Sequence, residues 1–201
     1  MLGRRGLLPA VLLTLLLLGP GCLGLVATRE LMESLRADPS HRDQEVTVGW
    51  SYSFDLDNLS SAQYHNTTDV PVDDTVQEII LIFQAEFPYN FQNVTGDLRY
   101  VDARLWEPGV RDGGGQPFWQ MRVTEDQPQI RERWQDKDAA FAVGDWLLEV
   151  EAQGYGMDAP IDIVSFHDKF DIYVTVIRPC VHFAEVHASD ECTDLVDLPV
   201  R

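Results

Sequence analysis

Val46-Thr47-Val48-Gly49-Trp50-Ser51-Tyr52-Ser53-Phe54-Asp55-Leu56 alternates apolar and polar side chains over eleven residues. A strand turns successive side chains to opposite faces, so this stretch predicts one buried and one wet face. The same period returns downstream. Ile79, Leu81, Phe83, Ala85 and Phe87 form a second stripe, and Ile80 and Ile82 between them are apolar too, as in a central strand. Val101, Ala103 and Leu105 follow, then residues 118–124, then Trp146, Leu148 and Val150, and last Phe170, Ile172, Val174 and Val176. Glu107-Pro108-Gly109, Asp112-Gly113-Gly114-Gly115 and Gly144-Asp145 supply turn chemistry between them. Six or seven short strands spaced by turns predict a mainly β chain, an antiparallel β-sandwich of immunoglobulin-like or jelly-roll type. The polar stretch 57–75, which contains Pro71, reads as a long loop, and 125–138 as a segment with one helical turn.

The run Leu105-Trp106-Glu107-Pro108-Gly109, a Gly-rich turn, and then Gly144-Asp145-Trp146-Leu147-Leu148-Glu149-Val150 carry a resemblance. They look like strand and turn signatures of jelly-roll and immunoglobulin-like modules, such as the pre-peptidase C-terminal and proprotein-convertase P-type domains of secreted proteins. The resemblance covers residues 76–152. It implies a module that binds, supports or spaces other domains, and it transfers no functional residue.

The chain has 201 residues and a formal net charge of -18, with 33 acidic and 15 basic residues. A phosphate backbone would be repelled, which excludes nucleic acid as a partner. Only two of the basic residues are Lys, Lys137 and Lys169. This balance costs stability through self-repulsion at low ionic strength and is screened at molar salt. Asp-rich, Lys-poor surfaces of this kind resemble proteins of extremely halophilic archaea. The alternative is an acidic protein of a low-salt organism that uses its charge for calcium or a basic partner.

Residues 1–28 show a targeting pattern: Arg4-Arg5, an uncharged Leu-rich run, then Gly19-Pro20-Gly21-Cys22. Arg4-Arg5-Gly6-Leu7-Leu8 resembles a twin-arginine export signal. Gly21-Cys22 resembles the end of a lipobox, in which Cys22 is the lipidated residue, although Gly19 stands where Leu is usual. Alternatively residues 7–28, 22 without a charge, stay as a membrane-spanning anchor with the two arginines inside. Full secretion is the third reading. Under the first two the domain is tethered outside the membrane.

Three cysteines are an odd number for an exported chain. Lipid on Cys22 leaves Cys180 and Cys192 as a disulfide pair, with 181–186 returning as a short edge strand after Pro179. Cys180, His182, His187 and Cys192 compete as a tetrahedral zinc set, but their spacing matches no common finger and an oxidising compartment favours the disulfide. His182 and His187 then read as surface residues. Asn58, Asn66 and Asn93 head glycosylation sequons. Asp55, Asp57 and Asn58, or Asp136 and Asp138, offer oxygen for calcium without forming a recognised loop. His167-Asp168 reads as a solvated pair in a hairpin turn. Trp106, Trp119, Trp134 and Trp146 read as core or as a sugar-binding face. No hydrolase or phosphate-loop motif occurs.

The sequence therefore predicts residues 1–28 as signal or anchor, 29–44 as stalk helix and linker, 45–178 as sandwich, and 179–201 as an acidic segment closed by a disulfide. It predicts no cofactor, no metal and no catalytic residue. The expected role is non-catalytic, in adhesion, envelope structure or a surface assembly with a protein partner. The alternative is a sugar-binding or transporter-associated surface lipoprotein.

Overall fold

The computed structural model describes residues 20–55, 60–88, 98–137, 140–157 and 165–195. The chain runs through α1 (Pro20–Ser34), β1 (Ser40–Ser53), β2 (Ser60–Val72), β3 (Glu78–Glu86), β4 (Tyr100–Trp106) and β5 (Trp119–Val123). Then come β6 (Gln127–Gln135), β7 (Gly144–Met157), β8 (Phe166–His167), β9 (Lys169–His182) and β10 (Thr193–Asp194). Two units share these elements: His41–Val181 with Thr193–Arg201, and Met1–Ser40 with His182–Cys192.

One sheet has the order β1-β9-β3-β6, with β10 added to β9, and the other has β2-β7-β4-β5, with β8 added to β7. Leaving aside the two-residue β8 and β10, the long strands stand first-eighth-third-sixth and second-seventh-fourth-fifth. The chain crosses between sheets at every junction except the β4–β5 hairpin. This is a jelly roll and not the immunoglobulin arrangement. Every predicted apolar stripe faces the space between the sheets: Ile79, Leu81 and Phe83, Val101, Ala103 and Leu105, Trp146, Leu148 and Val150, and Ile172, Val174 and Val176. Each valine, leucine, isoleucine or phenylalanine so removed from water contributes about 1.5–3 kcal/mol. Val46, Val48, Trp50 and Tyr52 are only partly buried, because β1 is an edge.

Several expectations need correction. The predicted loop 57–75 contains β2, thirteen residues paired with β7 from Ser60↔Gly156 to Val72↔Gly144. Pro71 is tolerated because β2 is an edge strand. The segment expected to hold a helical turn is β6, whose polarity reflects its place at an edge of the other sheet. Pro179 does not end the last strand. The ladder to β3 has already stopped at Glu78↔Ile177, so β9 runs on to His182. Residues 181–186 form no returning strand; β10 returns instead, with Thr193 opposite Val181. The predicted stalk 29–44 holds only the end of the helix Pro20–Ser34, and β1 already begins at Ser40. Among the described residues no helix is long and apolar enough to cross a membrane.

His167-Asp168 is not a solvated turn. Asp168 is fully buried and ties four chain segments at one end of the sandwich. Its carboxylate accepts bonds from Arg99 Nε at 2.8 Å and from the Tyr155 amide at 2.8 Å. Its own carbonyl accepts the Phe54 amide, and its amide donates to Tyr155. Phe54 is seated here against two glycines of β7. A Cβ at Gly154 would lie 2.4 Å from the Phe54 ring, and one at Gly156 would lie 1.5 Å from the Phe54 carbonyl oxygen.

Candidate functional site

The outer face of the β2-β7-β4-β5 sheet holds a dense group of ionisable side chains. Strand alternation places them there: with Trp146, Leu148 and Val150 turned inward, Leu147, Glu149 and Glu151 must point out. The register aligns Thr67, Glu149, Arg104 and Gln120 in one cross-strand row, and His65, Glu151, Asp102 and Arg122 in the next. The turn after β4 folds Arg111 back over the first row, held by Gly113 N–H to Gly109 O and Gly115 N–H to Val110 O. Gly109 and Gly114, with φ of 72° and 70°, supply the left-handed conformations that turn requires.

Glu149 is almost fully enclosed. One oxygen accepts from Arg111 at 2.5 Å and lies 3.3 Å from His65 Nε2, and the other accepts from Trp106 Nε1 at 3.0 Å. Asp102, equally buried, accepts from Arg104 at 2.6 Å and from Gln120 at 3.1 Å, with Arg122 at 3.6 Å. Glu151 stands directly opposite Asp102, a repulsive pairing relieved by Arg104 between them. Burial works to lower the Arg104 pKa, but Asp102, Glu151 and Glu149 outweigh it and hold it above its ordinary value. Arg122 also stacks 4.0 Å over the Tyr100 ring.

His65, Glu149 and Glu151 bring their ligand atoms within 4.8 Å of one another, a spacing a metal ion can use. The donor set does not suit a cation, however. Both Glu149 oxygens already accept hydrogen bonds, and Arg104 and Arg111 bring positive charge against the same carboxylate. Asp102, Glu149 and Glu151 are balanced by Arg104, Arg111 and Arg122, so the cluster is a closed ion-pair lattice. The sequence reading missed it because its members are scattered over four strands and a turn.

At the opposite edges of the sheets, Phe118, Trp134 and Phe141 line an open recess of about 190 Å³, with Glu107 and Arg133 at its rim. Phe118 packs edge-on against Trp134 and Trp146 at 5.0 and 4.8 Å. Trp106, Trp119, Trp134 and Trp146, four of the five tryptophans, form no common face. Trp146 is core, Trp119 packs inward against Phe83, Trp106 serves Glu149, and Trp134 alone lines the recess.

Cys180 and Cys192 are joined in a disulfide, so neither offers a thiolate for zinc. His182 is buried, not superficial as expected; its Nδ1 lies 2.7 Å from Glu191 O. His187 Nδ1 accepts the Phe183 amide at 3.0 Å. Asn66 is exposed within β2, not in a loop, and Asn58 and Asn93 lie outside the described residues, as do Asp57 and Asp138. Asp55 pairs with His167 at 2.9 Å, and Asp136 accepts the Phe141 amide. Cys22 falls in α1, with its side chain outside the described set.

No protein-family model and no curated protein matches the chain. Among solved structures it is similar to a subunit of the disulfide-linked pili of Bacillus endospore appendages, at 10% identity and TM-score 0.29, over 71% of this chain and 91% of that one. It is also similar to infectious bursal disease virus VP2 in a subviral particle, at 10% identity and TM-score 0.26, over 71% of this chain. The match spans about a third of that viral chain, 34%. Similarity this distant carries no argument about function.

Proposed function

We propose that this chain is a non-catalytic surface protein, tethered at the outer face of a membrane by its N-terminus, whose jelly roll serves in adhesion, envelope structure or a surface assembly. The observation that carries the reading is the closed lattice around Glu149. The most ligand-like cluster among the described residues has its buried carboxylates bound by the protein's own arginines, an arrangement that stiffens a sheet and leaves no free base. The leader with Cys22 supports a lipid tether, the Asp-rich and Lys-poor surface supports a halophilic archaeal setting, and the sequons support glycosylation. Fractionation of native membranes tests the tether. Release only with detergent is expected, and Cys22→Ser should free the protein if lipid holds it. Wild-type protein recovered in the medium would reject the tether altogether.

The recess at Trp134 favours a second reading, a ligand-binding surface protein. Three aromatic side chains with one acid and one base at the rim suit a single sugar ring or an aromatic side chain. The space is below the roughly 300 Å³ at which drug-sized sites begin. Glycan binding that disappears in Trp134→Ala would favour this reading over the first.

A further inference from the structure

We propose that β1 is a docking edge through which two copies of this chain pair, running their sheets together into one; this names a partner for the surface-assembly reading and rests on it. A sheet edge presents unpaired backbone N–H and C=O groups, and proteins guard it with short strands, prolines or charged side chains. The two sheets leave four edges, at β1, β6, β2 and β5. Strand β5 has only five residues and carries exposed Arg122. Strand β6 carries Pro128, Arg131, Glu132 and Arg133, all exposed, and β2 carries Asp69 and Pro71. Strand β1 is the longest of the four, at fourteen residues. Its first half is charged, but residues 46–53 contain neither a charge nor a proline. Neither lysine of the chain, Lys137 or Lys169, lies within one of the four edge strands.

The unguarded stretch is also complementary to itself. Two copies laid antiparallel about a twofold axis at Gly49 place Val48 opposite the other copy's Trp50 and Val46 opposite its Tyr52. These are aromatic–β-branched pairs, a favoured class of cross-strand neighbour. They further cover Val46, Val48, Trp50 and Tyr52, which the isolated sandwich buries only in part. On the outer face Thr47 meets the other copy's Ser51, small side chains that obstruct nothing. A slip of one residue would set the apolar side chains of one copy against the outer face of the other, so the pattern excludes odd shifts.

Two opposing terms set the strength. Each copy carries -18 charges, so association should rise with salt. One pair of edges buries less than the ~1,200 Å² at which stable interfaces begin, so confinement to a membrane surface should strengthen it.

The test is oxidative cross-linking of the full chain in native membranes. In the double variant Thr47→Cys/Ser51→Cys each new thiol faces its counterpart across the axis. Within one chain the two are roughly 13 Å apart, at about 3.3 Å per strand residue, beyond the ~7 Å limit for a disulfide. A band at twice the mass of the monomer band is expected from the double variant and from neither single variant. Light scattering in mild detergent at ~2 M salt, where screening is nearly complete, should show a dimer that grows with protein concentration. Thr47→Lys/Ser51→Lys should give a monomer that still unfolds cooperatively, since both side chains are exposed and lose only their surface bonds to Thr175, Asp171 and Tyr173. No dimer band from the folded double variant, or a dimer that survives both lysines, overturns the proposal. So does cross-linking of 47 and 51 to a different protein, which would give the edge to a foreign strand. None of these results touches the tether, which detergent extraction reads separately.

Discussion

Asp168 and Arg99 form a two-pronged ion pair with 0% and 5% of their side chains exposed, Arg99 donating through Nε and a terminal nitrogen. The pair locks the segment before β4 to the start of β9, and the Arg99 guanidinium lies 4.9 Å from the Phe87 ring centre. A buried pair of this kind gives little net stability over apolar residues of the same shape, but removing one partner strands the other charge. Asp168→Asn should therefore cost about 3–5 kcal/mol in a urea melt. In a double-mutant cycle with Arg99→Met, the second substitution should cost much less than it does alone. Costs that simply add would show that the two side chains are not coupled.

Gly154 and Gly156 both face Phe54, but the obstruction differs in kind. At Gly154 a methyl group would strike the Phe54 ring, and at Gly156 it would strike the backbone. Gly154→Ala should cost about 1–3 kcal/mol, the usual range for overpacking, and Gly156→Ala more. Placed in a Phe54→Ala background, the added cost at Gly154 should nearly vanish while that at Gly156 persists. Equal relief at both positions would contradict this seating of Phe54.

The lattice around Glu149 predicts indifference to metals. A ligand that binds only the folded state raises stability by RT ln(1 + [L]/Kd), so millimolar calcium or zinc at a real site should lift the melting temperature visibly. No such rise is expected here. Glu149→Gln should instead destabilise, by about 1–3 kcal/mol, because it weakens the charge-assisted bonds from Arg111 and Trp106 to a buried side chain, while the partly exposed arginines regain water. A metal-induced rise that Glu149→Gln abolishes would restore the metal reading of His65, Glu149 and Glu151.

The disulfide closes residues 180–192, a short loop whose cross-link contributes about 3 kcal/mol by the chain-entropy model. A non-reduced digest should link the two cysteine peptides, and Cys180→Ala/Cys192→Ala should lower stability by about that amount. Two alkylatable thiols in the native protein would contradict it.

Salt provides the remaining measurement. With 33 acidic against 15 basic residues, the folded domain should melt at lower temperature as salt falls from about 1 M to 0.1 M, where the Debye length grows from ~3 to ~10 Å. A melting temperature constant over that range would reject the halophilic reading.

Sequence alone determined the class of the fold and the face on which each stripe lies. Period-two alternation is a local property, and burial of Ile79, Trp146 or Ile172 follows from it wherever the neighbouring strand comes from. It missed two of the four edge strands: β2 and β6 are wet on much of their length, so the polarity of β2 passed for a loop and that of β6 for a segment with a helical turn. Strand order was decided only by tertiary structure, because alternation says which way a side chain points and nothing about which strand lies beside it. The same limit hid Asp168 and Glu149. Both are acids in polar-looking positions, and each became buried because arginines distant in sequence, Arg99 for one and Arg104 and Arg111 for the other, were folded against it.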